Sequence, residues 1–332
     1  MKVLVTGGAG FIGHHYVNHL LKTTDWDIVL IDRLDSSGNL NRLAEIGAAK
    51  NPRVRFMFHD LRAPFNDLMV SQLGKLDYIV HMAAGTHVDR SIEDPMAFVL
   101  DNVVATCNVL ELARKIQPKK FVYFSTDEVF GPAPVGTSYK ENDRYNSGNP
   151  YAATKAGGEE LAVSYHNTYG VPVVITHTMN VVGERQHPEK FVPLVIGKVM
   201  QGEKVYIHAN KTRTKAGSRY YIHARQVASA VQFLLDKGVP GEKYNIVGER
   251  ELDNLQLASL IASSVGKRLI HELVDFHSSR PGHDLRYALD GSKMKDLGWE
   301  PSQGIVASIE DIVRWTLENP QWLNLTGRKL AA

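Results

Sequence analysis

The glycines of Thr6-Gly7-Gly8-Ala9-Gly10-Phe11-Ile12-Gly13 constrain this chain more than any other segment. They follow the apolar, β-branched run Lys2–Thr6 and open a stretch, Gly10–Thr23, with helical spacing. Glycine at such spacings permits a tight strand-to-helix turn, a close approach of backbone to a bound pyrophosphate, and close packing of helix on strand. The helix N-terminus then offers unpaired N–H groups to the phosphate oxygens. A strand, turn and helix joined in this way belong to a parallel sheet with helices on its faces.

The next stretch of chain repeats the pattern. Short apolar runs at Asp27–Ile31, Val54–His59, Tyr78–Met82, Lys120–Ser125 and Val171–Thr178 predict strands buried on both faces. The intervening stretches Pro95–Ile116 and Pro150–Tyr169 have helical spacing. Beyond residue 180 the alternation breaks down at Pro188, Pro193, Pro240, Pro281 and Pro301, and Glu251–Val265 and Gln303–Glu318 predict amphipathic helices. The fold class expected is α/β: a Rossmann-type doubly wound parallel sheet with a smaller C-terminal α/β lobe. Residues 1–180 form the dinucleotide-binding domain with the catalytic residues, and 181–330 form mainly the substrate lobe, with room for chain exchange between them. The polar segment Gly202–Gly217 reads as an exposed loop, and Asn324–Ala332 as a frayed terminus.

Composition narrows the functional classes. A net charge of +2 over 332 residues implies no broad basic surface and no nucleic-acid partner. The one cysteine, Cys107, excludes an intrachain disulfide and a cysteine metal cluster, and its apolar context predicts a buried thiol. The N-terminal apolar run meets glycines too soon for a signal peptide. No uninterrupted apolar stretch reaches the ~18–20 residues of a membrane span. A cytoplasmic protein fits best. His14, His15 and His19 lack a carboxylate or cysteine at ligand spacing, so no metal is expected.

Asp32 stands at the end of the second strand, about 20 residues past the last glycine, where a carboxylate accepts hydrogen bonds from an adenosine ribose. It would repel a 2′-phosphate, which favours NAD over NADP, although Arg33 is adjacent. Asp60-Leu61 after the third strand is placed to meet the adenine edge, and Ala83-Ala84-Gly85 after the fourth lets the dinucleotide pass close to the backbone. The cofactor-binding set is completed by Gly7, Gly10, Phe11, Ile12, Gly13, Arg33, Leu34 and Val181, together with Tyr151 and Lys155.

Tyr151 and Lys155 are four residues apart and share one face of a helix that starts at Pro150. A nearby ammonium favours the phenolate, so such a tyrosine can take a hydroxyl proton while a hydride leaves the same carbon. Upstream, Ser125-Thr126-Asp127-Glu128 ends the strand Lys120–Phe124, and strand C-terminal ends face the ligand crevice of an open parallel sheet. Thr126 is placed to bond the reacting hydroxyl. Two adjacent acids in different environments can serve as a proton donor, Asp127, and a base, Glu128.

These segments, with Gly38-Asn39-Leu40, His87-Val88-Asp89-Arg90-Ser91, Pro188-Glu189-Lys190 and Arg280-Pro281-Gly282-His283-Asp284, resemble the extended short-chain dehydrogenase/reductase superfamily. Within it the chain is most similar to the nucleotide-sugar 4,6-dehydratases, above all those that act on dTDP-glucose. The likeness covers nearly the whole chain, and the Thr-Asp-Glu triplet is its most specific part. It implies oxidation at C4 of the sugar by Tyr151 and NAD, removal of the C5 proton by Glu128, and protonation of the departing O6 by Asp127. Hydride return to C6 then yields a 4-keto-6-deoxy sugar. It also implies a homodimer paired through Pro95–Ile116 and Pro150–Tyr169. The nucleotide sugar would be held by Thr86, Thr126, Asn180, Glu189, Lys190, Phe191, Tyr206, Arg219, Asn254, Arg280 and His283. Two departures, a longer Tyr206–Arg219 link and Val181-Val182-Gly183-Glu184 in place of a more polar sequence, leave the base open between dTDP, UDP and others. A nucleotide-sugar 4-epimerase or decarboxylase, or a non-catalytic NAD-binding module, are the alternatives.

Overall fold

Residues 1–275 and 285–324 are described in the computed structural model. The N-terminal part runs β1 (Lys2–Thr6), α1 (Phe11–Thr23), β2 (Asp27–Asp32), α2 (Leu40–Glu45), β3 (Val54–Phe58), α3 (Asp67–Leu73), β4 (Tyr78–His81), α4 (Val88–Glu93), α5 (Pro95–Val99), α6 (Ala105–Ile116), β5 (Lys120–Thr126), α7 (Pro150–Tyr169) and β6 (Val173–Thr178). The remainder runs β7 (Asn180–Val182), α8 (Phe191–Gln201), β8 (Val205–Ala209), β9 (Ser218–His223), α9 (Ala224–Lys237), β10 (Lys243–Ile246), β11 (Glu251–Asp253), α10 (Asn254–Val265), β12 (His271–Asp275), α11 (Ser292–Leu297) and α12 (Ile305–Glu318).

Consecutive residues of the central strands sort into opposite cores. Val3, Val5, Ile28, Leu30, Val80, Val122 and Val174 pack on one face of the sheet with Tyr16 and Leu20 of α1 and Val227 and Val231 of α9. Their neighbours Leu4, Val29, Ile31, Ile79, Phe121, Tyr123 and Ile175 pack on the other with Val109 and Leu110 of α6 and Ala162 of α7. Period-2 side chains buried on both sides are what parallel pairing under helices requires. The sheet is parallel throughout, in the order β10-β6-β5-β4-β1-β2-β3. The order reverses between β1 and β4, so a crevice opens outside the strand ends there. Strand β10, from the second half of the chain, extends this sheet beyond β6. A third core, built from Val195 and Ile196 of α8, Leu257 and Ile261 of α10 and Ile309 and Ile312 of α12, supports the C-terminal elements.

Several expectations are corrected. Gly202–Gly217 is not all loop: Val205, Ile207 and Ala209 are buried along β8, which pairs in parallel with β12, and flanking Lys and Thr residues had masked that alternation. Only the remainder turns, with Asn210 Oδ1 accepting from the backbone of Thr214 and Lys215. The stretch Glu251–Val265 begins as strand β11, and its helix starts after Asp253, which forms a capping box with Gln256. Pro95–Ile116 is interrupted by a π-helical turn over Leu100–Val104. By length and composition alone it is long and apolar enough to cross a membrane, although Asp101 and Asn102 interrupt its apolar run. Its buried residues Ala105, Val109, Leu110, Leu112 and Ala113 belong to the core under the sheet. Cys107 is half-buried rather than buried. The expected frayed end lies outside the described residues beyond Asn324.

The turn after β5 depends on one glycine. Gly131 has φ of 74° and ends the short 3-10 segment Asp127–Phe130, and a Cβ there would lie 2.2 Å from the Asn146 carbonyl oxygen. Gly131→Ala is expected to cost about 1–3 kcal/mol through the combined strain and overlap, read as a lowered thermal midpoint.

Candidate active site

The turn from β1 into α1 is built as the glycine spacing predicts. Gly7 has φ of 71°, and a Cβ on it would lie 2.8 Å from the Ala83 nitrogen, so β1 and the segment after β4 meet backbone to backbone. A Cβ on Gly13 would stand 2.1 Å from the Gly7 carbonyl oxygen, which closes the turn onto α1. Phe11 and Ile12 open that helix, whose N-cap, Gly10, supplies no side-chain hydrogen bond. The first-turn N–H groups therefore suit an anion. Thr6 Oγ1 accepts from Ala83 N at 3.2 Å, and Ala84 follows on the same rim.

Asp32 is nearly buried. Its carboxylate accepts from Ala9 N at 3.0 Å and from Leu34 N at 2.9 Å, with Leu34 itself at φ of 55°. Burial raises its pKa against those two bonds. Arg33 turns away from Asp32: its guanidinium binds both Asp101 oxygens, at 2.6 and 2.7 Å, and Asp35 at 2.7 Å. Asp60 is held by Arg62 and lies 3.7 Å from Arg33, while Leu61 is buried with its carbonyl taken by Asn108. Val181 sits on β7, its carbonyl bonded by Gln186.

The end of β5 meets the start of α7. Asn149 caps α7, accepting from Ala152 N at 2.8 Å, while its amide donates to Glu128 Oε2 at 3.2 Å. One residue thus fixes both the helix and the acid. Tyr151 N donates to Ser91 Oγ at 3.1 Å, which ties α7 to α4. Thr126 Oγ1 donates to Asp127 Oδ1 at 3.0 Å and accepts from Glu128 N at 3.3 Å. Asp127 Oδ2 is buried without a hydrogen-bond partner among the described residues. Burial first, then the Glu128 charge, push the Asp127 carboxyl up to about 7, with the cation of Arg219 opposing them. Glu128 is less buried. The two adjacent acids therefore occupy the unlike environments that acid and base roles require.

Lys155 departs from expectation. Its ammonium donates to the Phe124 carbonyl at 2.7 Å and lies 4.4 Å from the Tyr123 ring centre. Burial, then Glu128, raise Tyr151 above an ordinary phenol, against a hydrogen bond with Thr126. The ammonium that was expected to lower it is held here by the Phe124 carbonyl and the Tyr123 ring.

Asn102, in the π-helical turn, was missed by sequence reasoning. Its side chain bonds both backbone groups of Gly85, at 2.8 and 3.1 Å, and Thr154 Oγ1 at 2.9 Å, joining the rim after β4 to the helix of Tyr151 and Lys155. Its signal was an asparagine inside an otherwise apolar run, and π-turns recur at functional sites. Asn149 could have been found from the Asn-Pro pair that marks a helix start.

Of the residues expected to hold substrate, Thr126 is bonded to the acids directly, and Arg219 acts on Asp127 from the C-terminal part of the chain. Arg219 is bonded to the Leu285 carbonyl at 2.8 Å, lies 4.5 Å from the Tyr287 ring centre, and its charge reaches Asp127. Asn254 accepts from the Tyr221 hydroxyl at 2.6 Å beside it. Thr86 is exposed between β4 and α4, and Asn180 is exposed at the start of β7. Glu189 pairs with Arg90 at 3.4 Å just before Lys190, the N-cap of α8, and Phe191 opens that helix toward the third core. Tyr206 stands apart, exposed on β8 between Lys198 and Lys204. Arg280 and His283 lie outside the described residues.

Residues 4–312 match the family model described as GDP-mannose 4,6 dehydratase. A dTDP-glucose 4,6-dehydratase of Escherichia coli is 35% identical, with 97% of this chain and 95% of that protein aligned. The crystal structure of DesIV, a dTDP-glucose 4,6-dehydratase of Streptomyces venezuelae with NAD and dTDP bound, superposes with a TM-score of 0.87 at 36% identity, over 97% of this chain and 98% of that one. A UDP-glucuronic acid 4-epimerase of Bacillus cereus, in complex with UDP-glucuronic acid and NAD, reaches a TM-score of 0.85 at 27% identity, over 95% and 99%. The shared architecture thus extends to epimerases, but the higher identity lies with the dehydratases. Together with the glycine turn, the Tyr-x-x-x-Lys helix and the acid pair, these matches show that the chain belongs to the GDP-mannose 4,6-dehydratase family.

Proposed function

We propose that this chain is an NAD-dependent hydro-lyase that converts dTDP-glucose to the dTDP-4-keto-6-deoxy sugar. The observation that carries this reading is the acid pair: a buried Asp127 that holds its proton up to about pH 7 beside a less buried Glu128. Full-length likeness to dTDP-glucose 4,6-dehydratases supports dTDP as the nucleotide.

The glycine turn, uncapped α1 and Asp32 fit NAD: close backbone approach, an anion-receptive helix end and a ribose acceptor. NAD, when bound there, would supply the hydride acceptor for C4 and the hydride for C6. Tyr151 removes the O4 proton, and Lys155 supplies the positive charge that must outweigh Glu128 for the phenolate to form. A ketone at C4 acidifies the C5 proton, which Glu128 removes. Asp127 protonates O6, and the oxygen leaves as water. A proton then returns to C5. We read Arg219, Asn254, Lys190, Arg280 and His283 as the groups that hold the diphosphate and its nucleoside, because guanidinium and amide donors suit phosphate and ribose. Residues 1–180 serve the cofactor and 181–330 mainly the substrate, with β10 lent back to the sheet.

We further read the protein as a cytoplasmic homodimer, paired through α5, α6 and α7. Exposed Met96 and Leu100 on that surface support a second copy as the occupant. Sedimentation velocity is expected to return the dimer mass, and a monomer at micromolar concentration would overturn the pairing.

Three variants test the chemistry. Incubation with dTDP-glucose is expected to give a product lighter by one water, whereas inversion at C4 without mass change would favour an epimerase. Glu128→Gln is expected to abolish solvent deuterium incorporation at C5 while the first hydride transfer persists; wild-type exchange in that variant would sink the role. Asp127 must be neutral to donate, so water loss is expected to slow as pH rises through about 7. Asp127→Asn, which lacks the acid, is expected to lose on the order of 100-fold or more in that step. Linkage has the same sign: between 3.8 and about 7 only the folded state binds this proton, so stability owed to Asp127 is lost as pH rises through about 7. Urea midpoints of Asp127→Asn across that range are expected to lack this loss. Tyr151→Phe, finally, is expected to remove the first hydride transfer altogether, seen as no transient reduced nicotinamide.

A further inference from the structure

Glu159 lies one turn beyond Lys155 on α7, so Tyr151, Lys155 and Glu159 follow one face of the helix. It is 0% exposed and takes no part in the chemistry described above. A carboxylate so deep in a protein needs partners, and among the described residues it has three. The first is His177 of β6, also 0% exposed, whose Nε2 lies 3.1 Å from each Glu159 oxygen. The second is Lys243 of β10, whose Nζ lies 3.0 Å from Oε1. The third is Tyr145, whose hydroxyl donates to Glu159 and accepts from Lys243 at 2.6 Å.

The hydrogen bonds fix where the protons sit. Asn245 Nδ2 donates to the carbonyls of Tyr139 and Asp290, each at 3.0 Å, which turns its oxygen toward His177 Nδ1, also at 3.0 Å. That nitrogen must carry a proton. His177 Nε2 faces both oxygens of a carboxylate, so a second proton lies between them. Burial alone would raise the Glu159 carboxyl, but His177, Lys243 and Tyr145 hold it down at about 2.

Lys155 needs that charge. Burial lowers its ammonium to about 7, and the interaction opposing the fall comes from Glu159. The other groups that face it cannot substitute. His81 of β4 is held neutral by burial, and Tyr123 of β5, raised by burial, offers only its ring and a hydroxyl that donates to the Lys155 carbonyl. The Phe124 carbonyl supplies a dipole and no charge.

We propose that Glu159 is a positioning residue of the reaction: its carboxylate, clamped by His177, Lys243 and Tyr145, keeps the Lys155 ammonium charged so that it can stabilise the Tyr151 phenolate. The clamp draws Lys243 and Asn245 from β10, so the return of the second half of the chain to the central sheet serves the catalytic helix. This inference rests on the proposed dehydratase reading.

The test is the pH dependence of the first hydride transfer in the holoenzyme, read as transient reduced-nicotinamide absorbance with dTDP-glucose. In the wild type the rate is expected to rise with pH along an acidic limb. In Glu159→Gln that limb is expected to move to higher pH by about one unit, with a roughly tenfold loss on the limb, because an uncharged Lys155 no longer assists Tyr151. Glu159→Asp, which keeps the charge, is expected to restore the limb. A limb that stays in place, or moves to lower pH as loss of a negative charge acting directly on Tyr151 would move it, overturns the proposal. A merely structural role would reduce the rate equally at every pH. If Glu159→Gln does not fold, the double variant Glu159→Gln with Lys243→Met removes the lysine's unpaired charge as well, and the same upward shift is expected. A wild type with neither transient nor product would overturn the dehydratase reading itself, and this inference with it.

Discussion

The structure depends on burying charge beneath helix α7. Helix α7 presses Lys155 and Glu159 against β5 and β6, where both are nearly or wholly shielded from water. Neither could stay ionised there alone, because desolvation of a charge costs several kcal/mol even after relaxation. The surroundings answer with oriented partners: the Phe124 carbonyl and Tyr123 ring for the lysine, and His177, Lys243 and Tyr145 for the glutamate. These partners come from β5, β6, β10 and the segment before α7, so the helix is positioned by groups from distant parts of the chain.

The same economy separates the two acids. Asp127 and Glu128 are neighbours in sequence, yet the turn ended by Gly131 sends one inward and leaves the other nearer the crevice. Asp127 keeps a buried oxygen with no hydrogen bond among the described residues, whereas Glu128 receives the amide of Asn149. Arg219, from the far lobe, reaches Asp127 electrostatically and moderates the effect of burial. The acidity of the site is therefore shared between lobes, although both acids belong to one turn.

Much of this was legible in the residues. The glycine turn, the alternating apolar runs and Asp32 were enough for a doubly wound sheet with a dinucleotide crevice. The bounds read for β1 to β6 were within two residues of those observed, whereas β7 to β12 were not foreseen. Reading was weakest where local composition misled. β8 was hidden by its lysine-rich surroundings, and β11 by its continuity with a helical pattern. Asn102 was hidden because its role depends on a π-turn that aims it at Gly85 and Thr154.

By itself the sequence determined the sheet, the strand-end position of Thr126, Asp127 and Glu128, and the shared face of Tyr151 and Lys155, since these follow from period, glycine placement and helical spacing. Tertiary structure alone decided how those groups ionise. Which carboxyl is buried, which cation faces it, and whether Lys155 spends its charge on Tyr151 or on Phe124 depend on residues far apart in the chain. Local pattern carries no information on such meetings, because a charge responds to every dipole and ion packed around it.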